Sequence, residues 1–296
     1  MRDERRITKC LVGCDLTSRP SPAGDVTLIP RASIIVTCKG RLHHLRRTLP
    51  NLLIQHCPFP FEVIVVDYGC PQGTFDWCRS LDVRRLIALK VLDDTEEYDR
   101  SRARNCGANI AKSDILAFVD ADIFLGATWL EAATRAMLQG DAEFCTVAES
   151  FLNGWDRGGT WTVTAQLFHS VRGYDEVLRG WGVEDDDLHR RCAGKASQGK
   201  FAADLLTPIK HDHAERVRYH NLKNIEISVQ HNQTYLSQRT GLVNPHGYGQ
   251  GEFEIFRGQG DELPPVTWAK PQRIVRPIRQ HASVQRNSFR LPQITR

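Results

Sequence analysis

Two pairs of ligating side chains stand at matching spacing in this chain, Asp120-Ala121-Asp122 and His211-Asp212-His213. In extended backbone alternate side chains project to one side, so each triplet would present its outer groups together and its middle residue away from them. Two carboxylates so placed suit a hard divalent cation. Imidazoles beside them, with diphosphate oxygens completing the shell, favour Mn2+ over Mg2+, because nitrogen ligands shift preference toward transition metals; Mg2+ is the alternative. Singly, neither triplet decides anything: aspartates are common in loops and spaced histidines on surfaces. Zinc also suits the histidines, although no cysteine stands beside them to complete a structural site.

A third segment, Gly180-Trp181-Gly182-Val183-Glu184-Asp185-Asp186-Asp187, sets four consecutive acids at the start of a helix. A first-turn carboxylate complements the helix dipole by roughly 0.3–1 kcal/mol. Four adjacent acids exceed what capping needs, because they also repel one another. The Gly-Trp-Gly hinge before them offers an indole that can stack on a sugar face.

The elements that must position these groups are legible upstream. Ser33 to Thr37 is a short β-branched apolar run of the kind a buried parallel strand needs, and Leu42, Leu45, Leu49, Leu52 and Leu53 follow at helical spacing across Pro50. Glu62 to Val66 predicts a second strand, a stretch within Leu86 to Leu92 a third, and Ile115 to Val119 a fourth. Between the last two, a helix over Arg102 to Ala111 is expected with Ser101 as its N-cap. This alternation predicts an α/β fold around a mostly parallel, right-handed sheet flanked by helices. Ligands gather at the carboxyl ends of such strands, where Thr37, Asp67 and Asp120 all fall. Downstream, the pattern predicts a surface helix over Trp129 to Leu138, a strand over Phe144 to Val147 and a helix over Glu184 to Ala193. A further helix is expected within Arg216 to Arg239, and a Gly-rich loop over 241–251.

Taken together and in this order, these segments resemble family 2 glycosyltransferases. SRARNCGANIAKSDILAFVDAD (Ser101 to Asp122) carries the resemblance most closely. GWGVEDDD is similar to the acceptor and catalytic motif of the beta-1,4-galactosyltransferases, and KHDH (Lys210 to His213) to the metal-binding H-x-H of their proteoglycan-linker members. Chondroitin polymerases and polypeptide N-acetylgalactosaminyltransferases share parts of the set. The resemblance spans about Arg31 to His213 and implies a GT-A fold with a single Rossmann-like sheet, a nucleotide-sugar donor, UDP-linked by preference, and a glycan or glycoconjugate acceptor. It implies that Thr37, Arg41 and Asp67 contact the nucleotide, Asp67 at the base, and that Arg104 faces the nucleotide pocket. Asp120 would lie by the ribose and metal, while Asp122, His211 and His213 would hold the metal on the diphosphate. Asp185 would be the general base of a one-step inverting transfer, Glu184 and Asp186 would place acceptor hydroxyls, and Trp181 would cover the sugar. A retaining transferase, a nucleotide-sugar hydrolase and a non-catalytic sugar-binding protein are the competing readings. Thr37 to Arg41 and Asp67 to Cys70 depart from the usual family turns near the nucleobase.

Bulk properties narrow the setting. The net charge of +4 is uneven: seven basic residues and no acidic one lie from Leu263 onward, leaving the rest of the chain about −3. This divides the chain into a lead-in (1–30), a transferase domain (31–262, its donor half to about 125) and a basic extended tail (263–296). The tail is read as solvated, with peripheral contact at an anionic membrane as the alternative and nucleic acid disfavoured by its few aromatics. No apolar run approaches the roughly 20 residues of a membrane span, and the charged N-terminus lacks a signal-like apolar stretch. Nine cysteines without a C-x-x-C pair read as reduced thiols. A cytoplasmic protein is expected, with the inner face of the membrane as the alternative site.

Overall fold

The computed structural model describes residues 29–152 and 155–261. Most of the expected lead-in, with Cys10 and Cys14, and the basic tail lie outside the described residues.

The chain opens with β1 (Ala32–Cys38), α1 (Leu42–Leu53), β2 (Phe61–Asp67), α2 (Thr74–Leu81), β3 (Leu86–Val91), α3 (Arg100–Ile110) and β4 (Ile115–Val119). It continues through β5 (Ile123–Leu125), α4 (Trp129–Leu138), β6 (Phe144–Val147), β7 (Phe151–Leu152), β8 (Trp155–Asp156), β9 (Trp161–Thr164) and α5 (Ala165–Ser170). The last part holds α6 (Glu184–Ala193), β10 (Gln198–Phe201), β11 (Leu206–Pro208), α7 (His213–Val217), α8 (Ile225–Gln238) and β12 (Phe253–Arg257). An eight-stranded sheet runs β10-β6-β9-β4-β1-β2-β3-β12. The central four strands are parallel, as the alternation predicted, while β9 and β12 run antiparallel to their neighbours.

Burial on both faces explains the continuous apolar runs. Ile34 and Val36 of β1, with Val63 and Val65 of β2, pack one way against Leu45, Leu49 and Leu52 of α1. Ile35, Ile64 and Val66 point the other way, onto Ala103 and Cys106 of α3. A Cβ on Gly107 of α3 would stand 2.6 Å from Ile35 Cγ2, so glycine is what lets this helix lie against β1. The seven described cysteines are free.

One expectation needs correction. The N-cap of α3 is Asp99, not Ser101: its buried carboxylate accepts from the Arg102 amide at 2.9 Å, and the helix begins two residues earlier than expected. The helix over Trp129 to Leu138 is amphipathic, burying Trp129, Leu130, Ala133 and Met137. Pro50 sits inside α1 without ending it. The helix expected within Arg216 to Arg239 is α8, and the short α7 before it was not foreseen.

Candidate active site

Three loops leave the carboxyl ends of the central strands toward one cavity. After β4, Asp120 and Asp122 both line it, although the backbone there is a turn rather than extended, closed by Ile123 N donating to Asp120 O at 3.2 Å. Ala121 is buried between them. After β1, the Arg41 guanidinium donates to Asp122 Oδ2 at 2.8 Å, and His211 Nε2 lies 2.6 Å from the same oxygen. Burial alone would raise the Asp122 carboxyl, but the His211 contact and the Arg41 charge outweigh it and hold it down at about 2. Asp122 is therefore ionised at neutral pH, as a metal ligand must be. His213 opens α7, and its side chain lies outside the described residues. Asp212 caps that helix, accepting from the Glu215 amide at 2.7 Å.

Arg104, 2% exposed and not itself among the residues lining the cavity, ties together carboxylates that do. It donates to Asp120 Oδ1 at 2.9 Å and Asp185 Oδ1 at 2.8 Å, with Glu184 Oε1 at 3.5 Å. Gly159 makes room for this arrangement, since a Cβ there would meet Asp120 Oδ2 at 2.6 Å and Arg104 Nη2 at 2.9 Å.

The four acids of α6 separate into different environments. Val183 precedes them in the left-handed region (φ 66), as do Gly180 and Gly182, so the hinge turns sharply into the helix. Glu184 is buried against Arg100 at 2.7 Å. Burial pushes its carboxyl up, yet the Arg100 and Arg104 charges pull it below the ordinary value. Asp185 accepts from Arg104 and from Tyr174 Oη at 3.0 Å. There burial dominates: with Glu184 and Asp120 adding to the rise and Arg104 opposing it, the carboxyl is pushed up to about 7. Asp186 lines a neighbouring groove with Phe151 and His189. Asp187 is fully buried, and Arg191 and Arg239 bind its oxygens at 2.8 Å, so it holds the helix and takes no part in the cavity.

Asp67 does not reach the cavity. Its oxygens accept from the Cys70 amide at 2.6 Å and the Phe75 amide at 2.8 Å, which makes it the fastener of the turn after β2 rather than a base contact. Burial raises its carboxyl. Thr37 does line the cavity, bound to Tyr98 Oη at 2.6 Å. Trp181 lines it too, with the Arg216 guanidinium 5.3 Å from its ring centre.

Arg100, Lys39, Arg216 and Tyr219 line the cavity without having been anticipated. Lys39 donates to the Tyr68 and Thr95 carbonyls. The i, i+4 spacing of Arg100 and Arg104 on one helix face was the available signal for Arg100. Nothing local marks Tyr174, brought to Asp185 by packing, or Tyr219, laid over Gly40.

A polar cavity at the carboxyl ends of the strands is where open α/β sheets bind their ligands. The profile of glycosyl transferase family 2 matches residues 33–194, and the chain belongs to that family. It is 30% identical over 145 residues to validoxylamine A glucosyltransferase of Streptomyces hygroscopicus subsp. limoneus, covering 42% of this chain and 32% of that one. It is 32% identical over 109 residues to hyaluronan synthase of Pasteurella multocida, covering 37% and 11%. The matched region thus spans about a third or less of these relatives. Among solved structures, S. aureus TarS 1-349 in complex with UDP-GlcNAc superposes with TM-score 0.53 at 17% identity over 62% of this chain and 60% of that one, which establishes the shared GT-A-like fold. No described helix is long and apolar enough to cross a membrane.

Proposed function

We propose that this chain transfers a sugar from a nucleotide donor, UDP-linked by preference, to a hydroxyl of a glycan or glycoconjugate, with inversion at the anomeric carbon. The observation that carries this reading is that Asp185 and Trp181 line two recesses at once. One is the cavity of Asp120, Asp122 and His211; the other is the groove of Asp186, Phe151 and His189. A donor in the first and an acceptor in the second would meet at Asp185.

In this reading the Asp185 carboxylate takes the proton of the acceptor hydroxyl as its oxygen attacks the anomeric carbon from the face opposite the diphosphate. The bond to the diphosphate breaks in the same step, so no glycosyl-enzyme forms. A carboxyl near 7 is matched to that proton transfer at neutral pH. Tyr174 and Arg104 orient it. Trp181 offers its ring to the sugar, and Asp186 offers an acceptor contact from the groove. Glu184, buried on Arg100, acts by fixing Arg100 and Arg104 rather than by touching a hydroxyl.

The donor set Asp122, His211 and Asp120 fits a divalent ion with some preference for nitrogen, as Mn2+ has over Mg2+. Such an ion would supply charge neutralisation to the departing diphosphate. Thr37, Lys39, Arg41, Arg100 and Arg216 add polar and cationic contacts for the nucleotide. The glucosyltransferase relative supports sugar transfer, and the UDP-GlcNAc complex of TarS supports a UDP-linked donor. The test is an assay of UDP release from a panel of UDP-sugars with and without oligosaccharide acceptors, the product anomer being read by NMR. Acceptor-dependent release with inversion is expected. Release that acceptors do not stimulate would replace the transferase reading with a hydrolase.

A further inference from the structure

A second cluster of ligating side chains lies where α1 meets α7, at the rim of the nucleotide cavity, which Glu215 lines and His43 and His44 do not. His43 and His44 stand in the first turn of α1, and Glu215 stands in α7. His44 Nε2 lies 2.7 Å and His43 Nε2 3.1 Å from the same oxygen, Glu215 Oε1, and the three donor atoms all fall within 4.8 Å of one another. The two imidazoles are 4.1 Å apart between ring centres. A tetrahedral zinc ion with donors about 2.0 Å away keeps them about 3.3 Å apart, near the two nitrogen–oxygen separations here, and the two nitrogens lie within 4.8 Å of each other. His44 is buried and His43 is half-exposed, which anchors the cluster on one side and opens it to entering ions on the other. Nδ1 of His44 is buried and has no hydrogen-bond partner, so Nε2 is the nitrogen this ring presents.

From this geometry we infer that His43, His44 and Glu215 form a site for a transition-metal ion of zinc type, separate from the one at Asp120 and Asp122. Two imidazoles and one carboxylate are the protein ligands of an open zinc site, with water in the fourth position. Magnesium and calcium, which prefer all-oxygen shells, are poor occupants. The Arg41 Nε that lies 3.6 Å from Glu215 would yield that contact to the ion and keep its 2.8 Å bond to Asp122. The consequence is mechanical. The segment of α7 carries Arg216 over Trp181 and leads into Tyr219, whose ring is packed so closely on Gly40 that a Cβ there would lie 1.8 Å from it. An ion joining α1 to α7 therefore pins this segment across the nucleotide cavity.

The test uses the full chain without a histidine tag, stripped with chelator and titrated with Zn2+ against a chromophoric competitor. Co2+ serves as a spectroscopic stand-in. Two Zn2+ are expected to bind, one at Asp122 and His211 and one at this cluster with a tetrahedral-type Co2+ absorption in its place, and His43→Ala and His43→Asn should each weaken the tetrahedral site at least about tenfold. Asp122→Asn should leave that site unchanged. Unaltered affinity at that site in both His43 variants would overturn the inference. So would loss of the tetrahedral absorption in Asp122→Asn, because the ion would then belong to the Asp122 and His211 pair, whose ring lies 5.6 Å from that of His44.

Discussion

In the proposed transfer Asp185 is the base, and two opposing influences set its state. Burial and the neighbouring carboxylates favour its protonated form, while Arg104 favours the ionised one, leaving it at about 7. A base that is protonated below that value loses function on acidification, so kcat/KM should fall about tenfold per pH unit below pH 7 and level off above it. A flat profile from pH 5 to 8 would remove the assignment. Asp185→Asn should cut kcat by about 10²- to 10⁴-fold while leaving nucleotide binding nearly unchanged. The same variant carries a stability prediction of definite sign. A carboxyl raised above its unfolded value of 3.8 holds its proton more tightly in the folded state. Its ionisation then costs stability progressively above pH 4 and in full above pH 7. Asp185→Asn should therefore melt higher than the wild type at pH 8 and no higher at pH 4. Gly159→Ala, which drives a methyl against Asp120 and Arg104, should lower kcat/KM by up to about 10²-fold through misplacement alone. Residue types and spacing made Asp120, Asp122, Asp185, His211 and Trp181 legible in the sequence. Asp67 misled because position after a strand is shared by residues that face a cavity and residues that tie the following turn. Only the two amides it caps distinguish the cases.

At the scale of elements, α6 shows how one acidic run serves both chemistry and folding. Successive residues of a helix point about 100° apart, so four consecutive acids cannot share a task. Asp187 faces inward onto Arg191 and Arg239, and Asp185 faces the cavity. Burial raises the Asp187 carboxyl, but the Arg239 and Arg191 contacts hold it below its ordinary value, so its stabilisation is present above pH 3.8 and is lost only on acidification below that. Asp187→Ala removes a fully buried carboxylate from the partly buried Arg191 and Arg239, which keep the Val171 carbonyl and Asp175, and should destabilise the protein by about 1–3 kcal/mol in urea denaturation at pH 7. A loss under 1 kcal/mol would mean that α6 is held by other contacts. The apolar periodicity placed the central strands, α1 and α6 closely, because burial against a sheet writes itself into sequence. It could not place α2, β9 or β12. Thr74–Leu81 is short and half-polar, and β12 (burial pattern mostly exposed) is an edge strand whose pairing with β3 is decided by backbone hydrogen bonds.

For the whole molecule, the sheet order explains why distant segments meet. β1 lies between β2 and β4, so the loops after β1 and β4 share one end of the sheet, and Arg41 comes to Asp122 across 81 positions of sequence. The antiparallel pair of β5 and β11 then leads the chain to His211, beside Asp122. The family pattern made that convergence readable, because the motifs occur in a fixed order, whereas Tyr98, Tyr219 and His220, which line the same cavity, arrive from loops without a pattern. The central claim is that this convergence binds a nucleotide diphosphate with a divalent ion. Calorimetric titration of the full chain with UDP, in Mn2+ and in excess chelator, tests it most directly. Binding in Mn2+ that chelator weakens strongly and that Asp122→Asn abolishes is expected; no binding under either condition, or equal binding by Asp122→Asn, would rule out a metal-bridged nucleotide at this site.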